Sequence, residues 1–172
     1  MELTISILDK THDKKEFECG QPALDNYIKR QASQDVKKDL AVCYVLCQKG
    51  NTTVMGYYTL SSHAVRKDEL PDDLAQKLSY QEIPTVLLGR LALSSSHQGK
   101  GLGHYLLGEA LTRCAELGKQ MGILAVMVDP IDDKAAKFYK AFGFIPLPGS
   151  GRMFMTVKTI EAGLAADDEP ED

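Results

Sequence analysis

Residues 97–103 read His97-Gln98-Gly99-Lys100-Gly101-Leu102-Gly103, a composition suited to holding an anion. The apolar run Val86-Leu87-Leu88-Gly89-Arg90-Leu91-Ala92-Leu93 precedes them. After them Leu102, Leu106, Leu107, Ala110, Leu111, Cys114 and Leu117 recur at helical spacing. A strand that turns through three glycines into a helix leaves backbone N–H groups bare at the positive end of the helix dipole. That arrangement takes a phosphate or pyrophosphate. Two common phosphate loops are excluded by spacing. A Walker-type loop needs a glycine where Ser94 stands and Ser or Thr where Gly101 stands. A dinucleotide fingerprint needs a third glycine where Leu106 stands. What remains is Gln98-x-x-Gly101-x-Gly103.

A second segment carries chemistry of another kind. The buried-type strand Ile123–Val128 is closed by Asp129-Pro130, and Asp132 to Phe144 follows as DDKAAKFYKAFGF. Asp132 suits an N-cap, and Gly143 stands where a left-handed C-terminal residue belongs. Phe138, Phe142 and Phe144 read as core. Tyr139 is either core with a satisfied hydroxyl or a proton donor.

The loop Gln98-x-x-Gly101-x-Gly103 resembles the pyrophosphate loop of the GNAT acetyltransferases, and A-x-x-F-Y-x-x-F-G-F resembles their last helix. The resemblance implies acetyl-CoA as cofactor. It places Gln98, Gly99, Lys100, Gly101, Leu102 and Gly103 at the pyrophosphate. The backbone of Leu91, Ala92 and Leu93 lies along the pantetheine arm, Ala135 and Phe138 beside the cofactor, and Tyr139 at the departing thiolate. It also implies an α/β fold: a mixed, mostly antiparallel sheet with splayed central strands flanked by helices. Further segments resemble one subgroup, the toxin-like acetyltransferases of bacterial toxin–antitoxin modules. These are Phe17-Glu18-Cys19-Gly20 with Ala23-Leu24-Asp25 and Tyr27-Ile28, Gln31 to Asp35, Met55 to Ser61, and Leu88 to Leu93. The resemblance spans roughly residues 3–159. It implies acetylation of aminoacyl-tRNA, a ribbon-helix-helix antitoxin as partner, and a homodimer.

The elements that must position these residues follow from periodicity. Leu3 to Leu8 alternates as a first strand. Pro22 opens a helix with Leu24, Tyr27 and Ile28 inward. On its other side Lys29, Ser33 and Lys37 form one row, and Arg30, Gln34 and Lys38 a second. An ordinary solvated face accounts for these rows; under the family resemblance Lys29, Arg30, Lys37 and Lys38, with Arg90 on the cofactor strand, become the candidates for tRNA phosphates. Strands are expected at about 41–48, 53–62, 85–93, 122–129 and 151–159, with helices at 68–78, 101–118 and 132–142. Strands first, then strand–helix–strand–helix–strand, make a mixed α/β sheet.

Composition bounds the rest. The chain has 172 residues and 44% hydrophobic content, enough for one core. The expected division is an acetyltransferase domain over 1–160 and an unordered acidic tail over 161–172. The formal charge is −4, yet six of the 24 acidic residues fall in 161–172, which leaves 20 basic residues against 18 acidic ones. No apolar run reaches the length of about 20 residues that spans a bilayer, and no signal peptide is read at the N-terminus. Cys43 and Cys47 stand about 13 Å apart along one strand, too far for a disulfide. Free thiols fit a cytoplasmic protein. The four histidines are scattered, and no metal site is expected.

The choice of acceptor follows from amine chemistry. An amine attacks a thioester only when neutral. An α-amino group with a pKa of about 8 is partly neutral at pH 7, whereas lysine, near about 10.4, is almost wholly charged. Glu82 and His63 are base candidates by position only, with surface and loop roles the better reading. A site without a strong base selects an α-amine, as in an aminoacyl ester. A protein N-terminus or a small-molecule amine would also serve, and a catalytically silent binding module is the alternative outside enzymes.

Overall fold

A computed structural model describes residues 1–167. Its elements are β1 (Leu3–Ile7), α1 (Pro22–Asn26), a π-helical turn (Tyr27–Gln31), α2 (Ala32–Lys37), β2 (Val42–Gln48), β3 (Gly56–Arg66), α3 (Asp72–Ala75), β4 (Glu82–Leu93), α4 (Leu102–Gly118), β5 (Ala125–Val128), α5 (Asp133–Phe142), β6 (Ile145–Pro146), β7 (Met153–Thr156) and α6 (Val157–Asp167). The strands form one sheet in the order β1-β2-β3-β4-β5-β7-β6. The pairs β1–β2, β2–β3, β5–β7 and β6–β7 are antiparallel. The α/β class, mostly antiparallel with flanking helices, is the one expected from the sequence.

The chain divides into two compact units, residues 1–61 with 88–110, and residues 62–87 with 111–167. In the first, β1 pairs with β2 from Leu3↔Gln48 to Ile7↔Tyr44, and β2 with β3 from Val42↔Leu60 to Leu46↔Gly56. Its core gathers Phe17, Tyr27, Ile28, Val45 and Tyr57. Cys43 and Cys47 are buried there as free thiols. Ile28 is wholly enclosed, so trimming it to alanine would cost about 2–5 kcal/mol.

The first helix is not the single α-helix that its spacing predicts. Pro22 starts it at N1, but Ala32 N–H reaches back to the Tyr27 carbonyl, one residue further than in an α-turn. The wider π turn carries one extra residue past the core. Tyr27 and Ile28 therefore both face inward, and the two i, i+4 basic rows are interrupted.

In the second unit the core is built from Val65, Leu70, Ile83, Ala125, Met127, Leu147 and Phe154. The expected helix over 68–78 is cut by Pro71 into a short 3-10 turn, Lys67–Glu69, and α3. The last strand is shorter than expected. It stops at Thr156, whose Oγ1 accepts the Thr159 N–H and so caps α6. The expectation of an unordered tail from Glu161 is corrected by that helix. Val157 and Ile160 are buried and Leu164 is half-buried at helical spacing, and this apolar stripe carries the helix to Asp167. The rest of the acidic segment, 168–172, lies outside the described residues.

Candidate active site

In the first unit β4 delivers the chain to the glycine loop. Ala92 is buried, and Leu91 and Leu93 are half-buried. Gly56 on β3 presses against this strand end. A Cβ there would lie 2.8 Å from Leu93 Cδ2 and 2.9 Å from the Ala92 carbonyl oxygen, so only glycine lets the two strands approach this closely.

After a 3-10 turn at Ser95–His97, Gly99 and Gly101 adopt φ of +77° and +80°. A side chain at either would meet open space. Glycine is therefore required by backbone conformation alone. These two left-handed residues turn the chain into α4 with the N–H groups of Gly101, Leu102 and Gly103 unbonded among the described residues. Bare N–H groups at the start of a helix are an arrangement suited to an anion. Lys100 is exposed beside it.

Gln98 has a different part from a direct phosphate ligand. Its side-chain Nε2 donates to the Leu93 carbonyl and to the Cys19 carbonyl, each at 2.9 Å. Ser95 N–H donates to the Glu18 carbonyl at 2.7 Å, Ser94 N–H to the Met55 carbonyl at 2.8 Å. Ser94 Oγ lies 2.5 Å from His97 Nδ1. The loop is thus fastened to the segment before α1 and to the start of β3, and Gln98 is the clasp.

Of the basic candidates in this unit, Lys29 and Arg30 line a cavity of about 600 Å³ together with Lys10, Lys14 and Lys15. Lys37 and Lys38, at the end of α2, are exposed and lie outside its lining. Arg90 is turned inward. Its guanidinium stacks 3.5 Å above the Tyr27 ring, and Tyr27 donates to Asp35 Oδ2 at 2.8 Å. That stack holds the π turn against β4.

In the second unit Asp132 caps α5, its Oδ1 accepting the Ala135 N–H at 2.8 Å, and Gly143 ends the helix at φ +119°. Both match the sequence reading. Tyr139 is buried, with Phe138 and Phe144 edge-on to its ring at 5.5 and 5.3 Å. Ala135 and Phe138 are half-buried on the same helix. The Tyr139 hydroxyl has no hydrogen-bond partner among the described residues. No fully enclosed side-chain polar atom lacks a partner among the described residues, so the oxygen is not sealed in. Burial pushes its pKa up to about 12, which keeps the proton on the oxygen at neutral pH.

His63 and Glu82 do not look like bases here. Arg152 donates from Nη2 to His63 Nε2 at 2.9 Å and from Nε to Asp129 Oδ1 at 2.7 Å. The ring nitrogen that could take a proton is occupied. Burial, then the Arg152 charge, holds the His63 pKa below its usual value. Glu82 is exposed at the start of β4. Among the described residues no cluster of His, Cys, Asp or Glu could hold a metal ion, and no helix is long and apolar enough to cross a membrane.

The signature of the Acetyltransferase (GNAT) family matches residues 6–144. The chain belongs to that family. A protein of Mycobacterium tuberculosis named tRNA-acetylating toxin is 33% identical over 132 residues, 77% of this chain and 78% of its own. Among solved structures, AtaT complexed with acetyl-methionyl-tRNAfMet superposes with a TM-score of 0.89 and 34% identity, covering 95% of this chain and 99% of AtaT. A mutant AtaT toxin bound to the C-terminus of its antitoxin AtaR and to acetyl-CoA gives 0.83 and 31%, with 95% and 99% covered. The GNAT membership makes this chain an acetyl-CoA-dependent N-acetyltransferase. The sequence missed two groups in it. Lys10, Lys14 and Lys15, which line the cavity, belong to no motif read from the sequence. The Asp129–Arg152–His63 chain joins residues too distant in sequence to leave a local signal.

Proposed function

We propose that this GNAT enzyme transfers acetyl from acetyl-CoA to the α-amino group of aminoacyl-tRNA, and that it acts in the cytoplasm as a translation-blocking toxin. The observation that carries this reading is that the first unit bares three backbone N–H groups at the start of α4, and that the second unit holds a buried tyrosine that keeps its proton at neutral pH. The likeness to tRNA-acetylating relatives supports the acceptor.

In the reaction, the N–H groups of Gly101, Leu102 and Gly103 bind the pyrophosphate, with Gly99, Lys100 and Gln98 shaping the turn. Leu91, Ala92 and Leu93 offer backbone to the pantetheine arm, and Ala135 and Phe138 flank it. The neutral α-amine attacks the thioester carbonyl carbon. An N–C bond forms, the C–S bond breaks, and the ammonium proton passes to solvent. Tyr139 donates its proton to the leaving thiolate and regains one from solvent. A thiol pKa of about 8.5 against a tyrosine held near 12 makes that donation uphill in isolation. The favourable exchange of a thioester for an amide carries that step. With His63 held by Arg152 and Glu82 exposed, neither serves as the base, which suits an α-amine that is partly neutral at pH 7.

An antitoxin of the ribbon-helix-helix kind is the proposed protein partner, by likeness to the AtaT complex with AtaR, and a homodimer the proposed assembly. The proposed domain spans residues 1–160, with an acidic C-terminal segment beyond it.

The test is transfer of labelled acetyl to bulk tRNA, charged in one tube and deacylated in the other. Label on charged tRNA alone, lost when the ester is hydrolysed, is the expected result. Label on neither, with measurable acetyl transfer to peptide or small amines, overturns the tRNA acceptor and keeps the transferase.

A further inference from the structure

In the second unit, both ends of α5 lead to one side chain, that of Arg152. Before the helix, β5 ends at Val128 and the link Asp129–Asp132 follows. After it, Phe144 leads into β6, and the β6–β7 hairpin returns the chain to the sheet. The register pairs Val128 with Met153, which sets Asp129 beside Arg152. Arg152 Nε donates to Asp129 Oδ1 at 2.7 Å, and the Arg152 carbonyl accepts the Leu147 N–H at 2.8 Å. The hairpin is also fastened to the helix itself, because Phe144 N–H donates to the Tyr139 carbonyl at 3.0 Å. Arg152 thus closes the ring of chain that carries Tyr139.

A third bond anchors Arg152 from outside that ring. Its Nη2 donates to His63 Nε2 at 2.9 Å. His63 stands on β3, two strands from β5 in the sheet order. The His63 backbone is held in turn, its carbonyl accepting the hydroxyl of buried Thr85 at 3.1 Å. Charge alone does not explain the arrangement. The Arg152 side chain is 21% exposed and that of Asp129 53%, so solvent screens their attraction. What a guanidinium adds is direction. Its planar fork meets a carboxylate and a ring nitrogen at once, which an ammonium on a flexible stem does not do.

We infer that Arg152 is a positioning residue for Tyr139, and that neutral His63 is the anchor that keeps the guanidinium in line. The inference rests on the reading of Tyr139 as proton donor. Arg152 acts indirectly, by holding the segments before and after α5. His63 accepts the bond only while Nε2 carries no proton. Among the described residues, three charged groups face the ring: Arg152, Asp129 and, from the turn after β3, Glu69. Glu69 is itself engaged, its Oε2 accepting the Arg66 N–H at 2.8 Å. Burial and the Arg152 charge hold the ring neutral against the two carboxylates. In acid the ring takes a proton, the acceptor is lost, and two cations face each other. The anchor is therefore present at neutral pH and fails as pH falls below the ordinary histidine range.

The test uses the full chain and labelled acetyl transfer to charged bulk tRNA, with a cooperative melt establishing that each variant is folded. Arg152→Gln is expected to lower kcat about tenfold, as a displaced donor would, while acetyl-CoA affinity by calorimetry stays within about twofold. Arg152→Lys keeps the charge, loses the fork and does not restore kcat. In a Tyr139→Phe background Arg152→Gln brings no further loss, since nothing is left to position. His63→Gln puts a non-titrating acceptor in place of the ring. It is expected to keep neutral turnover, and its turnover relative to wild type rises from about pH 8 to about pH 5. The titration of the acceptor amine cancels in that ratio. A flat ratio overturns the inference, as does wild-type turnover in Arg152→Lys or a full additional loss in the double variant. If Arg152→Gln does not fold, Arg152→Lys and His63→Gln decide by the same readouts. Wild-type turnover in Tyr139→Phe alone would sink the proton-donor reading and this inference together. A slow Tyr139→Phe beside a silent, folded Arg152→Gln would sink this inference only.

Discussion

In the loop after β4 the useful groups belong to the backbone, whereas in α5 the useful group is a single side chain. The loop needs residues that take no space and adopt positive φ, and it leaves its N–H groups unspent. Helix α5 needs the opposite: two aromatic neighbours immobilise Tyr139 and leave one oxygen as its only polar feature. Substitutions in the two regions should therefore fail differently. Loop variants lose cofactor affinity; α5 variants lose turnover.

The sharpest separation is Tyr139→Phe. Turnover is expected to fall about a hundredfold or more, the usual worth of a positioned proton donor. Acetyl-CoA affinity by calorimetry stays within about twofold. A variant with wild-type turnover removes Tyr139 from the chemistry. The same residue has a pH signature. Its pKa is raised from 10 to about 12, so the protonated form is favoured by folding. That stabilisation is complete below pH 10 and is lost as pH climbs through about 12. Tyr139→Phe thus flattens part of the alkaline fall in stability between those values, measured by denaturant titration at each pH.

Second in size is Gly101→Val. Forcing a β-branched residue to φ +80° costs about 1–3 kcal/mol of strain. The loop escapes it by turning its N–H groups away. Acetyl-CoA affinity falls at least tenfold, while kcat at saturating cofactor holds within a few-fold. A collapse of kcat with unchanged affinity would erase the contrast between the regions.

The smallest effect is Asp132→Ala, which removes the cap of α5. A lost N-cap costs about 1 kcal/mol, or about 2–4 °C in Tm for a chain of this size. Acetyl-CoA affinity is untouched. A fall in affinity without a fall in Tm would mean that Asp132 serves the cofactor directly.

The two regions also differ in how far the sequence revealed them. Both were legible because their signals are local. Glycines at fixed offsets set the loop, and a cap, an apolar period and Gly143 set α5. The π turn was not legible, since one extra residue in a helix has no composition of its own. It arises because Tyr27 and Ile28 both find core against Tyr57 and β4. The basic cavity brings Lys10, Lys14 and Lys15 beside Lys29 and Arg30, a tertiary event that no charge count shows. Gln98 is singled out by the motif, and its amide serves the loop's anchorage. The end of β7 was misjudged because Thr156 suits a strand and a helix cap equally well.

The Gln98 clasp reaches 79 residues back along the chain to Cys19. Closing so long a loop is entropically slow. A nascent or partly unfolded molecule therefore has the glycines without the grip, and competence to hold the cofactor arrives only with the finished fold. Conversely, acetyl-CoA seated on the loop, as proposed, is expected to tighten the tie from afar. In hydrogen-exchange terms, the amide of Ser95, which donates to Glu18, becomes slower to exchange when acetyl-CoA is bound, and so does its neighbourhood before α1. On that expectation, occupancy of the cofactor site is read at the segment that opens the first helix.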